Sequence, residues 1–287
     1  MPLEASSDFG FERQWLSLSL RIIPEKRSIF SDKKEAQQYF GIGVKKIEAL
    51  KVWLRWLRLA NFDKQNKASL TEIAMLIKNY DQYFEEKGTW QILHYFLSSD
   101  SQNATAYYWF SNIFPDKKFS SISMRDKMIA HFPNYSTQYV SNGALSLMKI
   151  FALTPIGNDI GILKKIDKEK FEKTDVTKDK ISQHIVAFVI TDWANRNKRD
   201  TVNIAELFQA GSPARIFNMN KTILDEYLDT IQMTYEKNLF WVSRTAGLNS
   251  ISMNKDIAPI KILKIFYEEK VKGVNTKDAI KQIFSEK

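Results

Sequence analysis

Residues 30–62 read FSDKKEAQQYFGIGVKKIEALKVWLRWLRLANF, and this stretch decides the fold. Ser31 or Asp32 is a suitable N-cap for a short helix that ends at Phe40. The glycines at 41 and 43 allow the backbone angles of a tight turn. A second helix is predicted over residues 44–60. Its apolar residues are three and four apart, as on one buried helical face: Ile47, Leu50, Leu54 and Leu57.

A polar loop at 61–67 follows this helix pair. Residues 69–80 are then predicted to form another helix, in which Ser69 and Glu72 have the spacing of a capping box. Two helices joined by a glycine turn, followed by a polar loop and more structure, are typical of a helix-turn-helix with a wing.

The second helix of this pair is rich in cations that avoid its apolar stripe. They are Lys45, Lys51, Arg55 and Arg58, with Lys46 at the margin of the stripe and Trp53 and Trp56 beside it. Such cations can contact DNA phosphates or guanine edges in the major groove. Alternatively, the tryptophans pack into the domain and the cations simply remain in water. The residues alone leave both interpretations open.

The rest of the chain is also predicted to be mainly helical. Residues 89–99 and 105–114 are apolar on most sides, which favours buried helices. Residues 124–132 and 135–151, on either side of Pro133, are predicted to form a second pair like the first.

Residues 164–180, KKIDKEKFEKTDVTKDK, are dense in charge and contain no glycine. They are predicted to form an exposed connector or a solvated helix at a domain boundary. Further along, a helix at 221–236 and a strand-like NLFWVSRTAG closing at Gly247 again suggest a winged outline. The predicted fold is mainly α, with tandem helix-turn-helix or winged-helix-like modules and small β wings. The predicted domains are 1–86, 87–175 (central and helical) and 176–287.

The composition of the chain limits which binding partners and which cellular compartment are expected. The chain has 287 residues, a formal net charge of +9 and a pI of about 9.4, and a basic balance favours phosphate-rich partners. It has no cysteine, which excludes disulfides, thiolate metal sites and a cysteine nucleophile and fits a reducing compartment. No segment resembles a signal peptide or the roughly 20 apolar residues of a membrane helix. We therefore expect a soluble, cytoplasmic protein.

Signals for catalysis are few. The three histidines, His94, His131 and His184, are far apart in apolar segments, which favours satisfied core residues over metal ligands. There is no Gly-rich phosphate loop and no Gly-x-Ser-x-Gly elbow. In GSPARIFNM, Arg215 follows a Ser-Pro helix start, where it can face an anion. It can equally pair with Glu206 or Asp225.

The chain resembles the SspB-type family, proteins with a domain of unknown function encoded in bacterial DNA phosphorothioation and antiphage defence operons. The resemblance covers roughly residues 9 to 270. The segments that carry it are FSDKKEAQQYFGIGVKKIEALKVWLRWLRL, LTEIAMLI, GTWQILHYFL, ATAYYWFSNIFP, GSPARIF and TAGL.

The resemblance implies a DNA-acting protein that binds double-stranded DNA and nicks it. Partner proteins, namely a cysteine desulfurase, an ATPase and a sulfur transferase, then place sulfur in the backbone. It makes Lys45, Lys46, Lys51, Arg55, Arg58 and Arg215 candidate DNA contacts. A chain without cysteine cannot itself carry a persulfide, so the partners must handle the sulfur.

The resemblance fails at one motif. The family opens with Phe-Ser-Gly-His-Glu-Thr-Phe before an Arg and a Trp-Leu, whereas this chain reads FGFERQWLSL from Phe9 to Leu18. Glu12 is the only carboxylate left there, so it is the catalytic candidate, holding Mg²⁺ or Mn²⁺ with Arg13 or Arg21 facing the phosphate. The alternatives are a surface ion pair for Glu12, a non-catalytic DNA-binding scaffold or regulator, and a protein-interaction subunit.

Overall fold

The computed structural model describes residues 2–5, 7–236, 238–245 and 248–285. Over these residues the chain is mainly α-helical with small antiparallel sheets, as predicted, whereas the tandem winged-helix-like modules remain a prediction. The chain divides into two compact units, residues 1–174 and 175–287. The finer division into three domains remains a prediction. No described helix is long and apolar enough to cross a membrane.

The first unit contains eight α-helices and five short strands among its described residues. The helices are α1 (Arg13–Glu25), α2 (Lys33–Phe40), α3 (Val44–Trp56), α4 (Glu72–Tyr80), α5 (Lys87–Ser99), α6 (Thr105–Asn112), α7 (Ser121–His131) and α8 (Thr137–Leu153). The strands are β1 (Ala60–Phe62), β2 (Ala68–Leu70), β3 (Lys118–Ser120), β4 (Leu163–Lys165) and β5 (Lys170–Lys173).

The α2–α3 pair forms where the sequence predicts it. The Asp32 side chain accepts hydrogen bonds from the N–H groups of Lys34, at 2.8 Å, and Glu35, at 3.3 Å. Gly41 ends α2 with φ of 64°, in the left-handed region, whereas Gly43 has φ of −65°. The predicted apolar stripe of α3 is buried.

Helix α3 is shorter than predicted, and a hairpin replaces the loop and helix start expected after it. Arg58 has φ of 54°, so the helix ends at Trp56 and the chain turns into β1. Strand β2 pairs antiparallel with β1. The capping box at Ser69 was therefore wrong. Thr71 caps α4 instead, and its hydroxyl oxygen accepts from the N–H of Ala74 at 3.1 Å.

The first part of the charge-dense segment 164–180 forms strands, which corrects the predicted connector or solvated helix there, while the boundary between the two units, at residues 174 and 175, does fall within the segment. Strands β3, β5 and β4 lie side by side in that order, all antiparallel. Leu163 and Phe171 are buried while the lysines between them are exposed. Neighbouring side chains of a strand face opposite sides of the sheet. The buried residue on each strand therefore packs against the core, and the lysines beside it face solvent.

The second unit has the same kinds of element. Its helices are α9 (Gln183–Arg196), α10 (Pro213–Ile216), α11 (Lys221–Thr234), α12 (Pro259–Lys272) and α13 (Thr276–Ser285). Its strands, β6 (Thr201–Asn203), β7 (Phe240–Thr245) and β8 (Leu248–Met253), form a sheet in the order β6-β8-β7. Strand β7 was predicted. The predicted close of that segment at 246–247 lies outside the described residues.

Two of the three histidines are core residues, as predicted. His94 and His184 are buried, and each has its Nδ1 atom within hydrogen-bond distance of a tyrosine hydroxyl: 2.9 Å to Tyr107 and 2.6 Å to Tyr235, respectively. His131 is exposed at the end of α7, so the core prediction was wrong for this residue.

Candidate nucleic-acid interface

Helix α3 and the β1–β2 hairpin place several cations on one surface. Lys45 and Arg55 are exposed on α3. Lys51 is half-buried, and its Nζ donates to Oδ1 of Asn66 in the hairpin at 2.7 Å. Burial, and next the charge of Arg55, lower the pKa of Lys51. A phosphate that approaches such a partly desolvated lysine stabilises its charged form, because the anion replaces the solvation that burial removed.

Phe62 in β1 organises the same surface. Its ring centroid is 4.6 Å from Cζ of Arg55 and 5.8 Å from Nζ of Lys51, both within cation–π range. The hairpin loop adds two exposed lysines. We call this set the α3–hairpin surface: Lys45, Lys51, Arg55, Phe62, Lys64 and Lys67.

Lys46 takes a different direction from the other cations of α3. Its Nζ lies 5.1 Å from the ring centroid of Trp15 and 5.9 Å from that of Phe9. The Nζ of Lys149 in α8 lies 5.5 Å from the same Phe9 centroid and donates to Asp8 at 2.5 Å. That hydrogen bond lowers the pKa of the Asp8 carboxyl. Lys46 therefore covers aromatic rings.

The main chain of Phe9 joins α3 to α8. Its carbonyl oxygen accepts from Nε1 of Trp53 and from Oγ of Ser146, both at 3.0 Å. Gly10 follows, and a Cβ there would meet the Ser146 carbonyl oxygen at 3.2 Å. The segment around Phe9 and Gly10, which stands where the SspB-type resemblance would place a Gly-His-Glu motif, therefore connects α3 to α8.

Arg58 is separated from the other predicted contacts. It lies beyond the end of α3, and its guanidinium carbon is 4.6 Å from the Phe96 ring centroid. Arg215 is exposed on the four-residue α10, in the second unit. The structure therefore brings Lys51 and Arg55 together at the Phe62 ring and leaves Lys45 exposed on the same helix, while Lys46 and Arg58 lie against other aromatic rings.

A cleft lies beside the α2–α3 turn, at the start of the helix that carries Lys45. It has a volume of about 620 Å³ and is lined by Lys34, Gln37, Gln38, Gly41, Ile42 and Gly43. Gly43 is the N-cap of α3 and has no side chain to accept from the first N–H groups of the helix. Uncapped N–H groups at a helix start are suited to a phosphate.

Glu12 lies at the N-cap of α1, where its carbonyl oxygen accepts from the N–H of Trp15 at 3.1 Å. Arg13 points away from it. The Arg13 side chain donates to the carbonyl oxygen of Tyr83 at 2.5 Å and to Glu85 at 3.1 Å. Arg13, Arg21 and Tyr83 line a cleft of about 570 Å³.

The residues around Glu12 do not fit a carboxylate-held divalent ion. Magnesium in protein sites is held by carboxylates together with waters or substrate phosphates. Among the described residues, no three histidine, aspartate or glutamate side chains come together in a metal-binding group. Glu12 alone gives one carboxylate beside an arginine that is already engaged.

Sequence reasoning missed part of the site. Phe62 and Asn66 fell within a stretch interpreted as a plain polar loop, because the three-residue strands on either side are too short to show a pattern. Lys149 and Asp8 carried no local signal, because their pairing depends on the N-terminal segment reaching α8.

Residues 7–150 and 151–267 match the model of a family of proteins of unknown function, DUF4007. The chain belongs to the DUF4007 family. No curated protein matches this DUF4007 chain.

Two solved structures are similar to this DUF4007 chain. A crystal structure of SspB matches with a TM-score of 0.75 and 17% sequence identity, covering 98% of this chain and 96% of that chain. A crystal structure of magnesium-ion-bound SspB matches with a TM-score of 0.75 and 15% identity, covering 98% of this chain and 95% of that chain. At these identities the likeness shows a shared fold. It confirms the SspB-type resemblance found in the sequence.

Proposed function

We propose that this protein is the DNA-binding component of a bacterial phosphorothioation-linked antiphage defence system. The observation that carries the proposal is the α3–hairpin surface, where Lys51 and Arg55 lie against the half-buried Phe62 ring and Lys45, Lys64 and Lys67 are exposed on the same helix and hairpin. The SspB fold supports the defence context.

The order of elements supports tandem winged-helix modules. Residues 105–173 run helix, strand, helix, helix, strand, strand, and the first strand pairs with the last, giving the sheet order β3-β5-β4. In the second unit the strands β6, β7 and β8 are arranged in the same way, with order β6-β8-β7. At the start of the chain, α1, α2, α3 and the β1–β2 hairpin repeat the outline. There the N–H of Ala68 donates to the carbonyl oxygen of Arg27 at 2.6 Å, in place of a first strand.

In such a module the second helix of the pair lies in the major groove. For the first module this is α3. Arg55 and Lys45 on its exposed side would face the duplex, and Lys64 and Lys67 in the hairpin would reach the neighbouring backbone. Glu48 on the same side is neutralised by an ion pair with Lys33.

The test is duplex binding by a variant with Lys45, Lys51 and Arg55 changed to alanine. Each lost phosphate contact should reduce the slope of log K against log salt concentration by roughly 0.9. The matched control changes Lys178, Lys277 and Lys281, three exposed lysines of the second unit, and loses the same charge. Parental binding by the α3 variant would overturn the assignment of this surface. If the parent does not bind duplex DNA, the remaining candidate function is that of a protein-interaction subunit.

Nicking of DNA is the catalytic form of this proposal. One SspB structure contains a magnesium ion, and metal ions assist phosphodiester hydrolysis. Sulfur would then be placed by the cysteine desulfurase, ATPase and sulfur transferase that the resemblance implies.

A non-catalytic DNA-binding scaffold is the second candidate, favoured because the described residues include no group of three or more acids or histidines that could hold a metal ion. Conversion of supercoiled plasmid to open circle, with Mg²⁺ or Mn²⁺ and with EDTA as control, separates the two. Metal-dependent open circle supports the nickase, and intact plasmid together with duplex binding supports the scaffold.

A further inference from the structure

Helix α8 has a solvent-facing stripe of side chains that is uncharged except for Lys149. The stripe follows the helical spacing of four and three and consists of Gln138, Asn142, Leu145, Lys149 and Ala152, of which Asn142 and Lys149 are half-buried. The helix contains no acidic residue, and its one cation, Lys149, is paired with Asp8. The Nε2 atom of Gln138 donates to Oδ1 of Asn142 at 2.9 Å, so two amides stand side by side near the start of the helix.

The adjacent face of α8 is closed by the N-terminal segment. The N–H of Leu3 donates to the Tyr139 hydroxyl at 3.1 Å, and the Leu3 carbonyl oxygen lies 2.6 Å from where a Cβ on Gly143 would be. The amide stripe therefore remains open while its neighbour is covered. Leu145 keeps 41% of its surface exposed, in the middle of that stripe.

The β4–β5 hairpin that follows α8 ends in a basic tip. Lys164, Lys165, Lys168 and Lys170 are all exposed there. Asp167 accepts from the N–H groups of Glu169 and Lys170, both at 2.9 Å, so this acid shapes the turn and also pairs with Lys170. Lys164, Lys165 and Lys168 are thus exposed on a hairpin whose turn is held in one shape, with Lys164 and Lys165 on opposite faces of β4.

Helix α11 occupies the corresponding position in the second unit and has the opposite character. Glu226 and Asp229 are exposed on it, and Asp225 pairs with Lys221. Arg244 in β7 is paired with Asp229 at 2.6 Å. An acidic helix in this position would repel DNA, so the stripe of α8, which contains no acid, is particular to the first unit.

We propose that α8 and the β4–β5 hairpin form a second duplex-DNA contact, in which the hairpin lysines hold phosphates and the α8 stripe reads bases. This inference rests on the proposed DNA-binding function and adds a site that α3 does not supply. Asparagine and glutamine pair with the N6/N7 edge of adenine, and apolar side chains contact the thymine methyl. The stripe therefore favours A·T pairs at neighbouring positions.

The experiment compares four proteins on the same duplexes: the parent, Lys164→Ala/Lys165→Ala/Lys168→Ala, Gln138→Ala/Asn142→Ala, and the second-unit control Lys178→Ala/Lys277→Ala/Lys281→Ala. Salt-dependent binding is measured first. Each protein is then used to select from duplexes with randomised positions. All substituted side chains lie on the surface, and circular dichroism checks the fold.

The hairpin variant should bind roughly tenfold or more weakly near 0.1 M salt, with a salt slope lower by up to about 2.7 for three lost contacts. The control should match the parent. The parent should enrich A·T pairs at neighbouring positions. The amide variant should lose that enrichment and keep the parental salt slope.

Any result other than these contradicts one identifiable part of the proposal. Parental affinity and slope in the hairpin variant overturn the hairpin contact. Absence of base preference in the parent, or its persistence in the amide variant, overturns reading by α8. A parent that binds no duplex overturns the proposed function and this inference together. Binding that the Lys45, Lys51 and Arg55 variant retains and the hairpin variant loses overturns only the α3 surface.

Discussion

The Nδ1 atom of His184 lies 2.6 Å from the Tyr235 hydroxyl oxygen, and its Nε2 atom lies 2.9 Å from Glu269. Burial raises the pKa of Tyr235, so its hydroxyl stays protonated and donates to Nδ1. Nε2–H then donates to the Glu269 carboxylate, which Thr276 also reaches at 2.5 Å. This chain of hydrogen bonds joins α9, α11, α12 and α13.

Glu269→Gln should lower the free energy of unfolding at pH 7 by on the order of 1–3 kcal/mol. The hydrogen bond from His184 is the main cause that lowers the pKa of Glu269 from 4.5 to about 2. A lowered carboxyl pKa stabilises the fold above the unfolded-state value, and this contribution is lost as the pH falls toward the folded-state value. Denaturant unfolding should therefore show the parent and the variant converging between about pH 5 and pH 2. Glu226→Gln, at an exposed position of α11, is the control. A constant difference at all pH values would contradict the assignment.

Gly41→Ala should destabilise the protein by about 1 kcal/mol, and Gly43→Ala should be nearly neutral. An added Cβ meets nothing within 4 Å at either position, so only the backbone differs: Gly41 has φ of 64° and Gly43 has φ of −65°. Thermal unfolding of the two variants measures the difference. Equal loss in both would show that the turn depends on more than the left-handed residue.

Gly143→Ala should displace the N-terminal segment from α8, because the new Cβ would lie 2.6 Å from the Leu3 carbonyl oxygen. Limited proteolysis followed by mass spectrometry should show faster cleavage within residues 2–10. Ala152→Ser, on the exposed stripe of the same helix, should leave cleavage unchanged. Parental resistance in the glycine variant would mean that the segment adapts without leaving its place.

Lys45→Ala and Lys46→Ala should separate binding from stability. Lys45 is exposed, so its loss should weaken duplex binding and leave the melting temperature unchanged. Lys46 lies over the Trp15 and Phe9 rings, so its loss should cost about 0.5–1 kcal/mol of stability, with a smaller effect on binding. The reverse pattern would place Lys46 on the DNA side.

Glu12→Gln tests the catalytic candidate on the same plasmid assay. Because the residues around Glu12 do not fit a carboxylate-held metal ion, Glu12→Gln should leave any nicking by the parent unchanged. Glu12 is an N-cap residue that is half-buried, so its loss of charge should change stability by at most about 1 kcal/mol. Loss of nicking in a variant with parental circular dichroism would contradict this expectation. Full activity in the variant would remove Glu12 from the mechanism.

The α2–α3 pair could be predicted because its signals are local. Asp32 caps, Gly41 ends one helix, and the Leu50 stripe follows its own periodicity. The three-residue strands carry no such signal. Strands β4 and β5 have lysines on both faces, so they lack the alternation of apolar and polar residues that indicates a strand. Lys45 and Arg55 were predictable as exposed cations. The ring partners of Lys46 were not, because Phe9 comes from a distant segment that tertiary packing brings to α3.

The order in which the chain is synthesised gives the Phe9 segment a further consequence. Leu3 finds its partner hydroxyl 136 residues later, and the Phe9 carbonyl finds Ser146 137 residues later. At about 5–20 residues per second, the ribosome needs roughly 7–30 s to supply those partners. Until α8 emerges, the Phe9 carbonyl of a nascent chain has only its Trp53 partner in α3, and Leu3 has no partner hydroxyl, so the segment is held at one end of its final contacts.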